Sequence, residues 1–565
     1  MSAGDGRDDH VAEIVQFTCR MKDTSRWALV FAVLWGLGCG SSDQVAMDAG
    51  AGADVDVPRV DGAIEAMADA PADRAEDAVA DRAEDATADV NPPEDTPPPR
   101  LVWTRCYGNY YCTDISVPLD YARPTGPRVT VGVLRARARM PAQRVGVLML
   151  NYGGPGSSTT WSVSDAYPNV LGSLVGAGVA DHYDVVAVDW RGHGRSTPSL
   201  RCGFVNETDP ARTSRDINPA SDTSWNAFVT ESRALQRQCV DSVGTAFLST
   251  VGADTMARDM DAVREALGER QITYVGYSYG AWLGAVYATM FPSRVRAVVL
   301  DSPPAPERDL RTLVRGQAVG FQRAFERFYA WCARDERCPI VGRLDGADGV
   351  ARAVRTLVTE MDASPLSVGL RVVTGGRVID ALAAASYSPE ASWVGVSQVL
   401  AEAQRGNATP LVRSLDLLTN GDNFLSSYFA VRALDNSPGE AETPESYRAF
   451  LQTEIAAIGA FGPRLQADNV AFVGWPVRRT TPLPRIAAPA APPALIVSAR
   501  FDAPTPYDGA VQMREALGNG SFLVTYEGGA HASSTRIPCT AAAVAAFLDA
   551  PDTEPAMTSC PEITF

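Results

Sequence analysis

The stretch GYSYG, residues 276–280, decides which fold the sequence predicts. It follows a short apolar, β-prone segment at 272–275 and precedes an alanine-rich helical segment at 281–290. A Gly-x-Ser-x-Gly pentapeptide between a strand and a helix is typical of a nucleophile elbow, a strained turn that exposes its serine at the edge of a sheet. The following helix would offer free backbone N–H groups to a developing negative charge. The stretch therefore predicts a serine hydrolase with Ser278 as its nucleophile.

A serine hydroxyl becomes a nucleophile near neutral pH only with the help of a general base, which a third group orients. Where the serine lies on such a turn, the chain order is serine, then aspartate or glutamate, then histidine. Of the four histidines, only His531 follows Ser278, on a loop after a strand-like segment at 521–526. The order therefore predicts His531 as the base, and a solvated loop histidine is the alternative.

The acid of this set should follow the strand that precedes the histidine strand. A β-prone segment at 494–498 ends shortly before Asp502, which lies 29 positions before His531 (531 − 502). Asp502 is therefore the predicted acid. Asp508 is the reserve candidate, in case Asp502 only caps the helix that follows.

Acyl transfer also needs two backbone donors that face the oxygen on which negative charge develops. Tyr279, the residue after the nucleophile, provides one amide in this arrangement. The glycine-rich loop NYGGPGSS at 151–158 supplies the second, which we assign to Gly154. This loop lacks the lysine and the Ser/Thr of a phosphate-binding P-loop. His193 lies in a later glycine-containing loop and precedes the nucleophile, so we predict that it packs its own loop and is not the base.

Several further motifs accompany the elbow. They are Val117–Tyr121 (VPLDY), Gly153–Gly156 (GGPG), Asp189–Gly194 (DWRGHG), Trp475-Pro476, Asp502 with Thr505-Pro506, and Gly529–His531 (GAH). Together they resemble the proline iminopeptidase and tripeptidyl aminopeptidase family of α/β-hydrolases, over nearly all of the chain from about residue 101. The resemblance implies an exopeptidase that releases short N-terminal fragments, with a lid domain that selects the free amino terminus.

The expected fold is of the α/β class, an α/β-hydrolase fold with a mostly parallel central sheet flanked by helices and with an inserted, mainly helical lid. Strand–loop–helix patterns occupy 101–305 and 485–565, which we predict as two parts of one core. The stretch 306–484 between them has helical periodicity and is the predicted lid, which would cover the serine and exclude water. If a substrate amine is bound, carboxylates of the lid should bind it, and each candidate could instead be a solvated surface charge. The candidates are Glu307, Asp309, Glu326 and Asp435.

The first 39 residues predict export. A basic-flanked start at 21–26 precedes the 12-residue apolar run Trp27–Gly38, which suits a signal peptide and is too short to span a bilayer. We expect Met21 to be the true initiator. Small residues before Cys39 resemble a bacterial lipoprotein box, so lipid attachment at Cys39 is the first expectation and simple cleavage is the alternative. The protein is accordingly expected to be a cell-envelope lipoprotein of the periplasm or outer membrane, or else secreted.

Residues 40–100 predict a disordered acidic tether. This stretch is rich in Ala, Asp and Pro, and its 16 acidic and 4 basic residues give a net charge of −12 (4 − 16), out of −17 for the whole chain. Such a composition cannot bury enough apolar surface to fold, and its charge keeps the segment extended. The acidity therefore says little about the substrate, and it argues against a nucleic-acid partner, which requires a basic surface.

Cysteine usage agrees with export. Eight cysteines follow residue 100, and an even number in an exported protein indicates disulfides. They allow 105 pairings, of which the simplest is local: 106 with 112, 202 with 239, 332 with 338, and 539 with 560. No Cys-x-x-Cys or His-Glu-x-x-His spacing indicates zinc, so we expect neither a metal nor another cofactor.

Three functions remain open from the sequence. The first is an aminopeptidase acting on short peptides. The second is an esterase or amidase that uses the same residues on a small molecule. The third is a surface lipoprotein whose hydrolase fold only binds a ligand, without catalysis. In each case membrane contact would come only through an N-terminal lipid anchor.

Overall fold

The structure, a computed structural model, describes residues 101–108, 110–160, 178–202, 218–416, 423–436 and 441–563. The predicted leader with Cys39 and the predicted tether lie outside the described residues. Within the described ranges, no helix is both long enough and apolar enough to cross a membrane.

A single large sheet forms the centre of the described structure. Its strands are β1 (Thr104–Cys106), β2 (Tyr110–Pro118), β3 (Arg128–Ala136), β4 (Gly146–Asn151), β5 (Tyr183–Val188), β6 (Ile272–Tyr277), β7 (Val295–Asp301), β10 (Leu495–Ala499), β11 (Phe522–Tyr526) and β12 (Ser559–Cys560). They lie in the order β1-β2-β3-β5-β4-β6-β7-β10-β11-β12. Pairing is antiparallel from β1 to β5 and parallel across all pairs from β5 to β12. The predicted mostly parallel sheet is confirmed.

Both faces of this sheet are covered, which explains why its central strands are apolar without interruption. On β4, Val147 and Met149 belong to one hydrophobic core, whereas Leu148 and Leu150 belong to a second core on the opposite face. This alternation follows from the two-residue period of a strand.

Helices cover the sheet and fill the connections. They are α1 (Val179–His182), α2 (Asp222–Val243), α3 (Thr245–Leu248), α4 (Ala253–Ala266), α5 (Tyr279–Met290), α6 (Leu310–Arg334), α7 (Gly346–Ala363), α8 (Gly376–Ala385), α9 (Pro389–Gln404), α10 (Thr409–Asp416), α11 (Phe424–Asp435), α12 (Pro444–Ile458), α13 (Phe461–Leu465), α14 (Tyr507–Leu517) and α15 (Pro538–Asp549). Helix α5, which follows the predicted nucleophile, is apolar on all sides, and its residues Tyr279 to Ala288 are all buried. Such a helix needs protein on every side, and it holds the start of the elbow rigidly against the sheet.

The chain between β7 and β10 is an insertion, because these two strands are hydrogen-bonded neighbours in the sheet. Among the described residues it contains α6 to α13 and a small hairpin of β8 (Leu366–Val368) and β9 (Arg371–Val373). Part of the insertion has a hydrophobic core of its own, built around residues such as Phe325, Phe328 and Leu382. Its later helices α11 and α12 instead join the core of the main sheet.

Four disulfides are present in the described structure. They join Cys106 to Cys112, Cys202 to Cys239, Cys332 to Cys338, and Cys539 to Cys560. Among the pairings that the sequence allowed, the local one is therefore confirmed. Disulfides of this number are typical of proteins that fold in an oxidising compartment.

Candidate active site

Ser278 lies on the turn between β6 and α5, in the position that the pentapeptide predicted. Its φ of 56° and ψ of −123° are a strained conformation for a residue with a side chain. The flanking glycines are required by space: a Cβ on Gly276 would lie 2.3 Å from the Gly280 carbonyl oxygen, and one on Gly280 would lie 2.4 Å from Asn151 Oδ1. The turn can therefore form only because both positions lack side chains.

Asp502 and His531 are hydrogen-bonded to each other. His531 Nδ1 lies 2.9 Å from Asp502 Oδ2 and 3.0 Å from Oδ1, and the two residues are only 2% and 7% exposed. Thr505 fixes the carboxylate, since its N–H donates to Asp502 Oδ1 at 2.9 Å. This network assigns the ring proton to Nδ1, so that Nε2 is left to accept a proton. Asp508, the reserve candidate, is exposed in the first turn of α14.

Ser278 and His531 follow strands that are separated by β7 and β10. No hydrogen bond joins Ser278 Oγ to the His531 ring within the described part of the chain; in unliganded enzymes such bonds are often long and tighten with substrate. The end of β7 connects the two residues indirectly. The Ser278 N–H donates to the Asp301 carbonyl at 2.9 Å, and the Ala532 N–H, next to the histidine, donates to Ser302 Oγ at 2.8 Å.

The glycine-rich loop after β4 lies against the elbow. A Cβ on Gly153 would be 2.4 Å from the Tyr277 carbonyl oxygen and 3.0 Å from the Tyr279 nitrogen. Asn151 Oδ1 fixes the loop by accepting the Gly153 N–H at 2.8 Å. Gly154, with φ of 104°, is the next residue of this loop. The loop that was expected to supply the second oxyanion donor is thus adjacent to the first donor, the Tyr279 amide.

The structure counts against Asp435 as a substrate-binding residue. Its carboxylate is 2% exposed as a residue and already accepts hydrogen bonds from Arg479 Nη1 at 2.5 Å, from the Ala253 N–H at 3.2 Å and from the Tyr279 hydroxyl. A carboxylate that is satisfied in this way supports Tyr279 of the elbow, and its charge is already compensated by Arg479.

The structure also gives the positions of the other three candidates for binding a substrate amine. Asp309 caps α6 through the Thr312 N–H at 2.8 Å. Glu307 is exposed, and Glu326 is exposed and accepts from Gln322 Nε2 at 3.1 Å. All three carboxylates are exposed to solvent. Water and salt screen such charges, so they would contribute little to the selection of a charged substrate.

His193 follows the prediction made for it. It is buried, and its Nδ1 lies 2.9 Å from Ser427 Oγ on α11, so that it joins its loop to the insertion.

Tyr387, which the sequence did not single out, contacts the predicted base directly. It lies between α8 and α9 in the insertion, and its carbonyl accepts the His531 N–H at 3.0 Å. Its ring meets the imidazole edge-on, with centroids 5.2 Å apart and an interplanar angle of 84°. Although Tyr387 as a whole residue is 43% exposed, the protein around its phenol raises the pKa of that group, and the nearby carboxylates of Asp502 and Asp468 raise it further.

Asp468 is the second residue that sequence reasoning missed. Burial raises its pKa from 3.8 to about 6, the Arg432 guanidinium opposes this rise, and the Asp380 carboxylate adds to it. The same carboxylate raises the pKa of both Tyr387 and Tyr428, after burial as the main cause. No local pattern marks Asp468, because residues that interact with it come from α8, from α11 and from the loop between α8 and α9.

Tyr428 and Arg432 bring this cluster to the glycine-rich loop. A Cβ on Gly156 would lie 3.0 Å from the Tyr428 nitrogen, so the start of α11 rests on that loop. Arg432 donates to Asn469 Oδ1 at 2.7 Å and to the Tyr428 hydroxyl, and its guanidinium lies 4.9 Å from the Phe472 ring centroid. Tyr387 thus contacts the histidine and Tyr428 contacts the glycine-rich loop, and the charges of Tyr428, Arg432 and Asp468 all act on the pKa of the Tyr387 phenol.

The described residues contain no group of three or more His, Cys, Asp or Glu side chains that is arranged to hold a metal ion.

A family model described as the alpha/beta hydrolase fold matches residues 146–534. The serine protease Hip1 of Mycobacterium tuberculosis is 30% identical over 452 residues, 76% of this chain and 84% of that protein. Carboxylesterase B of the same species is 32% identical over 448 residues, 74% of this chain and 80% of the relative. A tripeptidyl aminopeptidase of Streptomyces coelicolor is 29% identical over 442 residues, 76% of this chain and 79% of the relative.

Proposed function

The chain belongs to the α/β-hydrolase family, and from this premise we propose that it is an exported aminopeptidase, which releases short units from the N-terminus of peptides. Its relatives include proteins named as a serine protease and a tripeptidyl aminopeptidase, and the chain is a serine hydrolase of the peptidase class. The observation that carries the finer proposal is the position of Tyr387. The ring of this insertion residue packs edge-on against the His531 imidazole. The negative charges of Asp502 and Asp468 both raise the pKa of its phenol.

In the proposed reaction His531 Nε2 takes the proton of Ser278 Oγ while this oxygen attacks the carbonyl carbon of the peptide bond. The amides of Tyr279 and Gly154 donate hydrogen bonds to the negative oxygen that forms. The leaving amine departs with the proton held by His531, and water then hydrolyses the ester on Ser278. Asp502 orients the imidazole through Nδ1 and stabilises its positive form.

We further propose that Asp468 binds the ammonium group of the substrate, with the Tyr387 and Tyr428 hydroxyls beside it. Asp468 is partly buried and belongs to the insertion, whereas the proposed nucleophile follows a strand of the sheet. The length of the released unit would then be set by the distance from Asp468 to Ser278. Asp380 is held by Asn218 Nδ2 at 2.7 Å and by Arg377, and it contributes negative charge behind this site.

An esterase is the second candidate function, because one relative of similar identity is named a carboxylesterase. It would use the same Ser278, Asp502 and His531. The two functions differ in whether a free ammonium group is needed, which makes the amino terminus of the substrate the discriminating variable.

The proposed location is the cell envelope or the exterior. Four disulfides and the similarity to the serine protease Hip1 support an extracellular or envelope protein. Lipid attachment at Cys39 remains our proposal for how the protein is retained at the membrane.

The test compares matched substrates on the protein with its disulfides formed. Mono-, di- and tripeptidyl p-nitroanilides would be offered with free and with acetylated N-termini, next to p-nitrophenyl esters. We expect cleavage of the free peptides, weak or no cleavage of the acetylated ones, and loss of both activities in Ser278→Ala. Equal cleavage of free and acetylated peptides would contradict the exopeptidase proposal. Ester hydrolysis without any peptide cleavage would establish the second candidate.

Asp502→Asn and Asp508→Asn form the matched pair of variants for this test. Both remove a carboxylate from the same segment, but only Asp502 contacts His531. The proposed mechanism requires a large loss in the first variant and none in the second.

A further inference from the structure

Three residues other than glycine adopt left-handed backbone conformations at the end of the sheet where the site lies. They are Ser278 after β6, Ser302 after β7 and Ala532 after β11, with φ of 56°, 56° and 53°. Residues with side chains rarely adopt this conformation, and they do so where surrounding contacts impose it, often at functional sites. The elbow explains Ser278, but the proposed triad does not explain Ser302.

Ser302 connects the strands and loops that carry the acid and the base. Its Oγ accepts the Ala532 N–H at 2.8 Å and donates to Asp301 Oδ1 at 3.0 Å. Its own N–H donates at 2.7 Å to the carbonyl of Val497, on the strand that leads to Asp502. The left-handed turn is what allows one residue to make these contacts in two directions.

Asp301 contacts both the nucleophile turn and the loop that carries the histidine. Its carbonyl accepts the Ser278 N–H at 2.9 Å. Its carboxylate Oδ2 accepts the N–H and the hydroxyl of Ser534, three residues after the base, at 2.9 Å and 2.6 Å. The loop that carries His531 is therefore held at Ala532 by Ser302 and at Ser534 by Asp301, which is the last residue of β7.

The Asp301 carboxylate is also an unusual charge. It is 0% exposed, and among the described residues its carboxylate is held by the hydroxyls of Ser302 and Ser534 and by the Ser534 N–H, without an arginine. Burial raises its pKa, and the hydrogen bonds from Ser534 and Ser302 and the charge of His531 act in the opposite direction. A buried carboxylate without a permanent cation is stabilised whenever a nearby imidazole becomes positive.

We propose that Asp301 and Ser302 are positioning residues of the active site, which hold the His531 loop against the nucleophile, and that the Asp301 carboxylate, in its ionised form, also stabilises the imidazolium formed during acyl transfer. This inference rests on the proposed triad. The groups that contact His531 are Asp502 after β10, Tyr387 and Thr505. Asp301 acts on the histidine loop through Ser534 and, by way of Ser302, through Ala532. Asp301 exchanges no proton: the proton moves from Ser278 Oγ to His531 Nε2 and from there to the leaving group.

Two variants separate the hydrogen bond from the charge. Ser302→Gly removes the hydroxyl while glycine accepts the left-handed conformation without strain. Asp301→Asn keeps the shape of the side chain and removes its charge. The readouts are kcat and KM with a p-nitrophenyl ester, the rate of labelling by a fluorophosphonate, and the dependence of kcat/KM on pH.

For both variants we expect kcat and the labelling rate to fall about tenfold or more, with KM within about twofold, as for loss of catalytic geometry. In Asp301→Asn the acid limb of the pH profile should move to lower pH by about half a unit or more, because losing a nearby negative charge disfavours the imidazolium. Asp508→Asn, which removes an exposed carboxylate, should leave all readouts unchanged.

Unchanged kcat in folded Ser302→Gly would overturn the positioning role. A fall in kcat for Asp301→Asn without movement of the acid limb would overturn the electrostatic part. If Asp301→Asn does not fold, Ser534→Ala replaces it in the test, because this variant removes only the hydroxyl that donates to Asp301. An unchanged kcat would then overturn the positioning role, and a fall in kcat without movement of the acid limb would overturn the electrostatic part. Ser278→Ala distinguishes failure of this inference from failure of the proposed triad. Fluorophosphonate labelling that persists in that variant would refute the triad itself.

Discussion

Replacing Asp468 by asparagine tests whether the insertion recognises a substrate amine. The change is nearly isosteric, and the hydrogen bond that Oδ1 accepts from Asn469 Nδ2 at 2.7 Å can be kept by the new amide oxygen. What is lost is a charge-assisted hydrogen bond to the ammonium group, about 1.5–3 kcal/mol. We therefore expect kcat/KM for peptides with a free N-terminus to fall by about 10- to 100-fold.

The pKa of Asp468 adds a dependence on pH that a purely structural residue would not produce. With a pKa of about 6, the carboxylate is about nine-tenths ionised at pH 7 and about one-tenth ionised at pH 5. Peptide amines stay protonated over this range. The selectivity, defined as kcat/KM for free peptides divided by that for the ester, should fall about tenfold from pH 7 to pH 5.

The assay measures both substrates at each pH on the same protein, so that the titration of His531 cancels in the ratio. In Asp468→Asn the ratio should be low and independent of pH. Glu360→Gln, an exposed carboxylate on the insertion helix α7, is the matched control and should behave like the unchanged chain.

Stability provides an independent check on this reasoning. A carboxyl whose folded pKa is raised stabilises the fold below its unfolded pKa of about 3.8, and this contribution is lost as pH rises from about 4 to about 6. Asp468→Asn should therefore be as stable as the unchanged chain at pH 7, or more stable. A less stable variant with an unaltered selectivity ratio would refute the reasoning and assign Asp468 a structural task.

The other predictions concern the base and the termini of the core. Asp502→Asn should lower kcat about 10⁴-fold, as loss of the orienting acid does in such triads, whereas Asp508→Asn should stay within about twofold; ester hydrolysis with quantified active sites measures both. Tyr387→Ala removes the ring that packs on His531, and an aromatic contact of about 0.5–1.5 kcal/mol predicts a loss of about two- to twelvefold in kcat, with unchanged kcat as the contradictory result. Replacing Cys539 and Cys560 together by serine opens a loop with a sequence separation of 21, which should lower the free energy of unfolding by about 3 kcal/mol in urea titrations, and an unaltered urea midpoint would exclude this contribution.

Residues whose role depends on local chain geometry could be predicted from the sequence. The elbow around Ser278 requires glycines on both sides of a strand-to-helix turn, and that requirement is written in five consecutive residues. His531 follows because the chain contains a single histidine after the nucleophile. The mostly parallel sheet follows from apolar segments that alternate with helical ones. The local cysteine pairing was the simplest of the 105 that the sequence allowed, and the structure was needed to establish it.

The choice between Asp502 and Asp508 needed the structure, since both fit the pattern and only the packing of β10 beside β11 decides which one meets His531. For Asp435 the sequence suggested a role that the packing does not favour. Its sequence position in the insertion suited an amine ligand, but α11 turns it inward to Arg479 and the Tyr279 hydroxyl, where its charge is already compensated.

The sequence by itself determined the fold class and predicted the nucleophile and the base, because each depends on residues that are close in the chain or on chain order alone. Only the tertiary structure decided which insertion residues face the histidine and how its loop is held. Tyr387 and Asp301 meet the site through contacts between segments up to 233 positions apart. Such contacts are set by how helices pack on the end of a sheet, and no periodicity within a single element encodes them.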